Sequence, residues 1–171
     1  MRLLTLLLII SSFAWTINAW GDVSRPSRDS FTMNGTNFRV WYRYNYNTGY
    51  YVALIEFNRP GDWFMVGWGN TDDDVDAWVF QLDGNRVLSS DRYWGNTRLP
   101  VRDVALGGTY DLQLLGYLVQ RNRTLVKIRR RINTGDRYDK VLTRVRYTYW
   151  AWGQGPRLTT DGLQRGRVVR R

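Results

Sequence analysis

The chain has 171 residues, 43% hydrophobic and 23% charged, which is the composition of one globular domain and excludes a disordered chain or a multidomain enzyme. Histidine and cysteine are both absent, ruling out imidazole catalysis, thiolate nucleophiles, disulfides, zinc clusters and iron–sulfur ligation. With 25 Lys and Arg against 15 Asp and Glu the net charge is +10, a balance that favours acidic partners such as nucleic acid, anionic glycans or anionic lipid.

In chain order, Met1 to Ala19 combine one basic residue at Arg2, an apolar run from Leu3 to Trp15, and small or polar residues ending at Ala19. This is the three-part pattern of a secretory signal peptide cleaved after Ala19, so the protein is expected to be secreted. The uncharged span is shorter than the roughly 20 residues of a membrane helix, and no transmembrane segment is expected after cleavage. Residues 20–35 lack alternation and read as a leader packed loosely on a domain spanning 36–171. Sequons at Asn34 and Asn122 make glycosylation candidates of both, in keeping with secretion.

From there the pattern has period two, with no helical stripe. Phe38, Val40, Tyr42 and Tyr44 alternate with Arg39, Trp41, Arg43 and Asn45. A turn at Asn45–Gly49 leads to a return strand over Tyr50–Phe57, and a second turn over Arg59–Asp62 leads to one over Trp63–Trp68. Further strands are expected at Val75–Leu82, Arg86–Ser89, Tyr110–Val119, Leu125–Ile132 and Thr143–Trp152. Short strands punctuated by Gly and Asp mean an all-β sandwich or barrel.

Charge is uneven, because residues 121–171 hold 15 basic and 3 acidic side chains. An acidic polymer is therefore a candidate partner for the C-terminal third. On a strand, however, Arg130 points opposite to Arg129 and Arg131, so that run offers two charges on one face and directs the third elsewhere. Asp72, Asp74 and Asp76 match the first three ligands of a calcium loop. The remainder of that motif fails, with Ala77 in place of the glycine and Asp83 in place of the bidentate glutamate, so an acidic loop beneath the arginine-rich half is the simpler reading. Nine Trp, eleven Tyr and six Phe exceed what one sheet face holds, and surplus rings suit a pocket for sugar rings or a flat cofactor.

Several segments, taken in order, resemble the DOMON domain, the β-sandwich found beside copper monooxygenases of the dopamine beta-monooxygenase type and, in related form, as the cytochrome domain of cellobiose dehydrogenase. Asp62–Gly69 is similar to the family's W-x-x-x-G-[FW] strand, Val75–Val79 to its following alanine/serine-aspartate strand, and Asp91–Tyr93 with Pro100 to its D-x-Y and proline segment. Arg130–Asp136 with Asp139 resembles R-x-L-x-T-G-D, and Tyr149–Gly153 the late W-A-x-G. Gly162–Gly166 looks like the H-G-x-x-R-G ending without its histidine. The resemblance covers residues 30–167 and implies an antiparallel, immunoglobulin-like β-sandwich of about 8–11 strands. Haem-binding members hold iron between a methionine in the loop before the alanine/serine-aspartate step and a late histidine. Here Asp72 and Asp73 occupy the first position and Asp161 the second, so the resemblance implies a family fold whose haem ligands are lost.

The reading that follows is a secreted, non-catalytic domain, with no cofactor expected. It binds a small extracellular ligand, a carbohydrate or another ring-bearing molecule, in an aromatic cleft. Met65, Trp68, Trp78, Trp150 and Trp152 are the candidate lining, and Arg130 and Asp161 the candidate hydrogen-bonding groups. The alternative is a haem b electron-transfer domain with unusual axial ligation, Met65 with a partner from the basic region; a third is a polyanion- or matrix-binding module. Mass spectrometry of the secreted protein should find Trp20 at its N-terminus, and an intact Met1 start on secreted material would refute cleavage at Ala19.

Overall fold

The computed structural model describes residues 30–32, 37–59 and 61–170; the segment read as a signal peptide and the Asn34 sequon lie outside them. Among the described residues eleven strands build two antiparallel sheets: β1 (Ser30–Thr32), β2 (Phe38–Asn45), β3 (Tyr50–Phe57), β4 (Trp63–Thr71), β5 (Asp74–Asp83), β6 (Arg86–Trp94), β7 (Val101–Arg102), β8 (Gln113–Gln120), β9 (Arg123–Arg131), β10 (Tyr147–Gly153) and β11 (Gln164–Val169). One sheet has the order β1-β2-β3-β9-β8 and the other β11-β10-β4-β5-β6-β7. The fold is all-β as the alternation indicated, and of the sandwich and barrel that the alternation left open it is the sandwich that the resemblance implied. Within the segment expected to be a leader, Ser30–Thr32 pairs with β2 as an edge strand.

Alternation explains which side chains meet between the sheets. Phe38 and Val40 of β2, Tyr51, Ala53, Ile55 and Phe57 of β3, and Val126 and Ile128 of β9 face Phe64, Val66 and Trp68 of β4 and Trp78 and Phe80 of β5. Rings pack through this core, Phe57 and Phe64 stacked with centroids 4.7 Å apart and Trp68 and Trp78 tilted with centroids 4.0 Å apart. The six-stranded sheet is buried on its other face too. There Trp63, Met65, Val75, Ala77, Val79 and Tyr149 pack beneath Leu99, Leu158 and Leu163 from the connecting loops. Two buried faces account for the almost unbroken apolar run of β4, which alternation alone does not produce.

Three departures from the expected strands have local causes. β8 begins at Gln113 because the amides of Asp111 and Leu112 donate to the Asp91 carboxylate, 2.9 and 3.1 Å away, instead of entering a ladder. β10 begins at Tyr147 because residues 141–144 form a turn, closed by the Arg144 amide on the Val141 carbonyl at 2.8 Å. β11 is an edge strand with no buried side chain, so its sequence carries no apolar alternation to read. On β8 a bulge sets Leu115 outside the ladder between the Leu114–Ile128 and Gly116–Lys127 pairs. Asn122 is exposed in the β8–β9 turn.

Trp63 has no exposed surface. Trp63→Ala should cost about 3–5 kcal/mol of stability by denaturant unfolding, and without cysteines the unfolding curve should be indifferent to reductant.

Candidate ligand site

Pairing of β10 with β11 sets Tyr149 opposite Arg167, and Ala151 opposite Arg165. These side chains stand on the loop-covered face of the six-stranded sheet, where a cleft of about 480 Å³ opens between β11, the β4–β5 turn and the residues after β6. Trp94 and Tyr149 form its apolar part, and Asp72, Asp73, Arg165 and Arg167 its charged part. Two glycines beside it allow close packing of the strands. A Cβ on Gly69 would lie 2.5 Å from the Asp74 carbonyl and 3.3 Å from the Tyr149 ring, and one on Gly166 would lie 2.7 Å from the Trp150 ring. Arg167 is ion-paired with Asp72, and the Arg165 guanidinium lies 5.4 Å from the centre of the Trp94 ring. The buried Tyr149 hydroxyl sits beside Asp72 and Arg167. Burial pushes its pKa up, so it stays protonated and able to donate.

None of the seven side chains read from the sequence as ligand-binding lines this cleft. Trp68 and Trp78 are wholly buried between the sheets, leaving no ring face for a ligand. Met65 is equally buried on the opposite side of the same sheet, because an odd and an even position of one strand cannot share a face. Trp150 and Trp152 are half-buried against the inter-sheet core, and the Arg59 guanidinium lies 4.0 Å from the Trp152 ring centre. Asp161 is exposed in the β10–β11 connection, where its carbonyl accepts the Gln154 amide at 2.8 Å. The cleft residues escape sequence reading because their one signal, alternate arginines at Arg165 and Arg167 around Gly166, acquires meaning only once β11 pairs with β10.

The acidic run is divided among three basic partners: Asp72 with Arg167, Asp74 with Lys140 and Asp76 with Arg130. Asp72 is 73% exposed and Asp76 not at all, so the three carboxylates do not converge as calcium ligands. A different trio does converge, since Asp76, Asp91 and Asp139 place oxygens within 4.8 Å of one another. The cation among them is Arg130, wholly buried, with Nη1 bonded to Asp76 and 3.0 Å from Asp139 and Nη2 donating 2.6 Å to the Lys140 carbonyl. Burial opposes the charge on Arg130, but Asp76, Asp139 and Asp91 hold its pKa above the ordinary value. One guanidinium does not neutralise these acids together with Asp103. Burial, reinforced by the charges of Asp76 and Asp139, pushes Asp91 up to about 9 and Asp103 up to about 8. Asp139 is raised to about 6, again first by burial.

The haem expectation can be set against the same geometry. The Asp161 carbonyl bonds Gln154, next to Gly153, which pairs with Trp63 at the start of β4; Asp72 follows Thr71 at its end. The two positions are therefore separated by about 26 Å of extended strand and do not serve one iron. The cleft offers carboxylates, guanidinium groups and a phenol, while Met65 lies in a packed core. These side chains do not fit a cytochrome's soft axial pair.

The DOMON domain family model matches residues 34–155. The structure is similar to the cytochrome domain of Myriococcum thermophilum cellobiose dehydrogenase, with 10% identity over 85% of this chain and 89% of that one at a TM-score of 0.55. It is also similar to the cytochrome b domain of pyranose dehydrogenase from Coprinopsis cinerea, with 16% identity over 82% and 80% at a TM-score of 0.56. No curated protein matches the sequence. At these identities the structural likeness speaks for the fold, and β11, which supplies both cleft arginines, lies beyond the matched residues.

The buried acids make stability depend on pH in a stated direction. Their native pKa values lie above that of an unfolded aspartate, so the native state keeps protons that the unfolded chain has released. This stabilisation is complete below about pH 4 and is lost as pH rises, through about 6 for Asp139, about 8 for Asp103 and about 9 for Asp91. Each group removes up to about 1.4 kcal/mol per pH unit in its window. The melting temperature should fall from pH 5 to pH 9 in roughly this manner, and Asp91→Asn, which keeps an acceptor for the Asp111 and Leu112 amides, should flatten the fall.

Proposed function

Because the chain belongs to the DOMON domain family, we propose that it is an extracellular, non-catalytic ligand-binding module. It holds a hydroxylated, ring-bearing molecule, a carbohydrate first of all, in the cleft beside β11. The observation that carries this reading is a cleft that sets the rings of Trp94 and Tyr149 beside charged groups of both signs. The Tyr149 hydroxyl lies beside Asp72 and Arg167, where it can donate to or accept from a sugar hydroxyl. Arg165 and Arg167 present planar donor forks to paired oxygens, Asp72 and Asp73 accept from hydroxyls, and Trp94 with Tyr149 provides apolar surface for the ring. Secretion follows from the signal-peptide pattern. Among the described residues no helix is long and apolar enough to cross a membrane.

This reading takes a binding role over electron transfer because the cleft supplies oxygen acceptors and guanidinium donors where a cytochrome needs axial ligands. Thermal-shift and calorimetric titration with neutral mono- and disaccharides and with uronic acids should find a ligand that stabilises the protein. Tyr149→Phe should weaken it by about twofold to tenfold, the loss of one hydrogen bond, and Arg165→Gln should weaken an acidic sugar more than a neutral one. A stoichiometric Soret band that shifts on reduction, in unaltered protein titrated with haem, would make electron transfer the function instead.

A further inference from the structure

The even-numbered residues of β2 face the partner sheet, and their surroundings change along the chain. Phe38 and Val40 are buried, Tyr42 and Tyr44 are half-buried, and Tyr46, two residues on in the turn, is 72% exposed. Here the space between the sheets opens into a cavity of about 450 Å³, lined by Tyr42, Tyr44, Tyr46, Leu142, Val145 and Arg170. Val168 of β11 packs on the inter-sheet core, so Arg170, two residues further, turns to the same side. Its amide is tied to the Arg146 carbonyl at 2.9 Å. Nη1 of Arg170 donates to the Leu142 carbonyl at 2.6 Å and Nη2 donates to the Tyr44 hydroxyl, while the guanidinium lies 5.3 and 5.7 Å from the centres of the Tyr42 and Tyr44 rings. Tyr44 gives it no counter-charge, because burial pushes that phenol's pKa up. Among the described residues Arg59, Arg123, Arg130, Arg167 and Lys140 each pair with a carboxylate, and no carboxylate pairs with Arg170. A half-buried charge held by neutral groups alone keeps part of its desolvation penalty.

We infer that this cavity is a second binding site, one that takes a small aromatic carboxylate, with the carboxylate on Arg170 and the ring against Tyr46. A guanidinium has five N–H donors, more than Leu142 and the tyrosines occupy, and its planar fork matches a planar oxyanion. Size separates a bare ion from an organic acid. A water molecule takes about 30 Å³ and organic ligands occupy pockets of about 300–1,000 Å³, so a cavity of about 450 Å³ is far larger than an inorganic anion fills. The walls then select a ring. Tyr44 and Tyr46 are stacked, with centroids 5.8 Å apart and planes 24° from parallel, and the exposed Tyr46 carries that stack to the mouth, where an aromatic ligand continues it. A single cation suits a single anionic group, whereas an acidic polymer needs a row of them. The site is separate from the sugar cleft: Arg165 and Arg167, at odd positions of β11, serve the loop-covered face, and Arg170 serves the space between the sheets.

The test is calorimetric titration of the full secreted protein with 4-hydroxybenzoate, using 4-hydroxybenzamide as its uncharged counterpart and inorganic phosphate as an anion without a ring. The acid should bind about tenfold more tightly than either. Arg170→Gln should weaken the acid about tenfold and change the amide by less than about twofold. Tyr46→Ala, at a position too exposed to carry the fold, should weaken the acid by about threefold to tenfold, which keeps the inference testable if Arg170→Gln disturbs the neighbouring turn. Arg157→Gln removes an exposed charge beyond the opposite end of β10 and should change affinity by less than about twofold. Arg165→Gln, in the sugar cleft, should do the same. Equal affinity for acid and amide, phosphate binding as tight as the acid, no binding of the acid by unaltered protein, or a larger loss from Arg165→Gln than from Arg170→Gln would each overturn the inference. The saccharide titrations of the cleft are read separately, so a failure of the sugar reading leaves this result standing and the reverse holds as well.

Discussion

One guanidinium holds the two sheets in register at the polar end of the core. Arg130 reaches from β9 across the sandwich to Asp76 of β5, while Asp139 and the Lys140 carbonyl close over it from the connection to β10. The Lys140 amide returns 2.9 Å to the same Asp76 carboxylate, so the path of a long connection is fixed by groups that the core already contains. Losing one member of such a buried set leaves the others uncompensated, at a cost of about 3–5 kcal/mol, whereas the set as a whole need contribute little net stability. Its contribution is to geometry: it fixes Asp139 and Lys140 of the connection between β9 and β10 against the core.

The aromatic core adapts to this network. Trp78 lies against the same guanidinium, 5.4 Å from ring centre to carbon, and Tyr51 and Trp68 pack around Trp78. Most of the buried rings thus fall in two layers, one between the sheets and one beneath the loops. The outer layer of loops is incomplete beside β11, and the cleft lies where it parts.

Period-two alternation made most strands legible, and it correctly sent Arg130 away from Arg129 and Arg131. It also carried the difference between Met65 and Trp68, whose odd and even positions already place them on opposite faces of β4. What alternation does not encode is which face is covered. Trp68, Trp78, Trp150 and Trp152 read equally well as core or as exposed platform until the partner sheet is in place. β11 was hidden for a different reason, since an edge strand of arginines and one glycine needs no apolar period to be held by backbone hydrogen bonds. The cleft inherits that opacity, because Arg165 and Arg167 approach Tyr149 only through this pairing. The C-terminal concentration of charge was likewise real in sequence but not in space: Arg130 went inside, Arg165 and Arg167 went to one sheet, and Arg129 and Arg131 joined Arg39 and Arg43 on the other.

The bulge at Leu115 has a consequence for how many copies of this protein behave together. β8 is eight residues long at the rim of its sheet, with Leu115, Tyr117 and Leu118 partly open to water. A regular strand of that length and character would present a continuous row of unsatisfied amides and carbonyls, a template on which a neighbouring chain can add a strand and begin an aggregate. By throwing one residue out of step, the bulge bends the rim and interrupts that row midway. Crowded molecules therefore meet a kinked border in place of a straight one, and the sheet ends where the fold ends it.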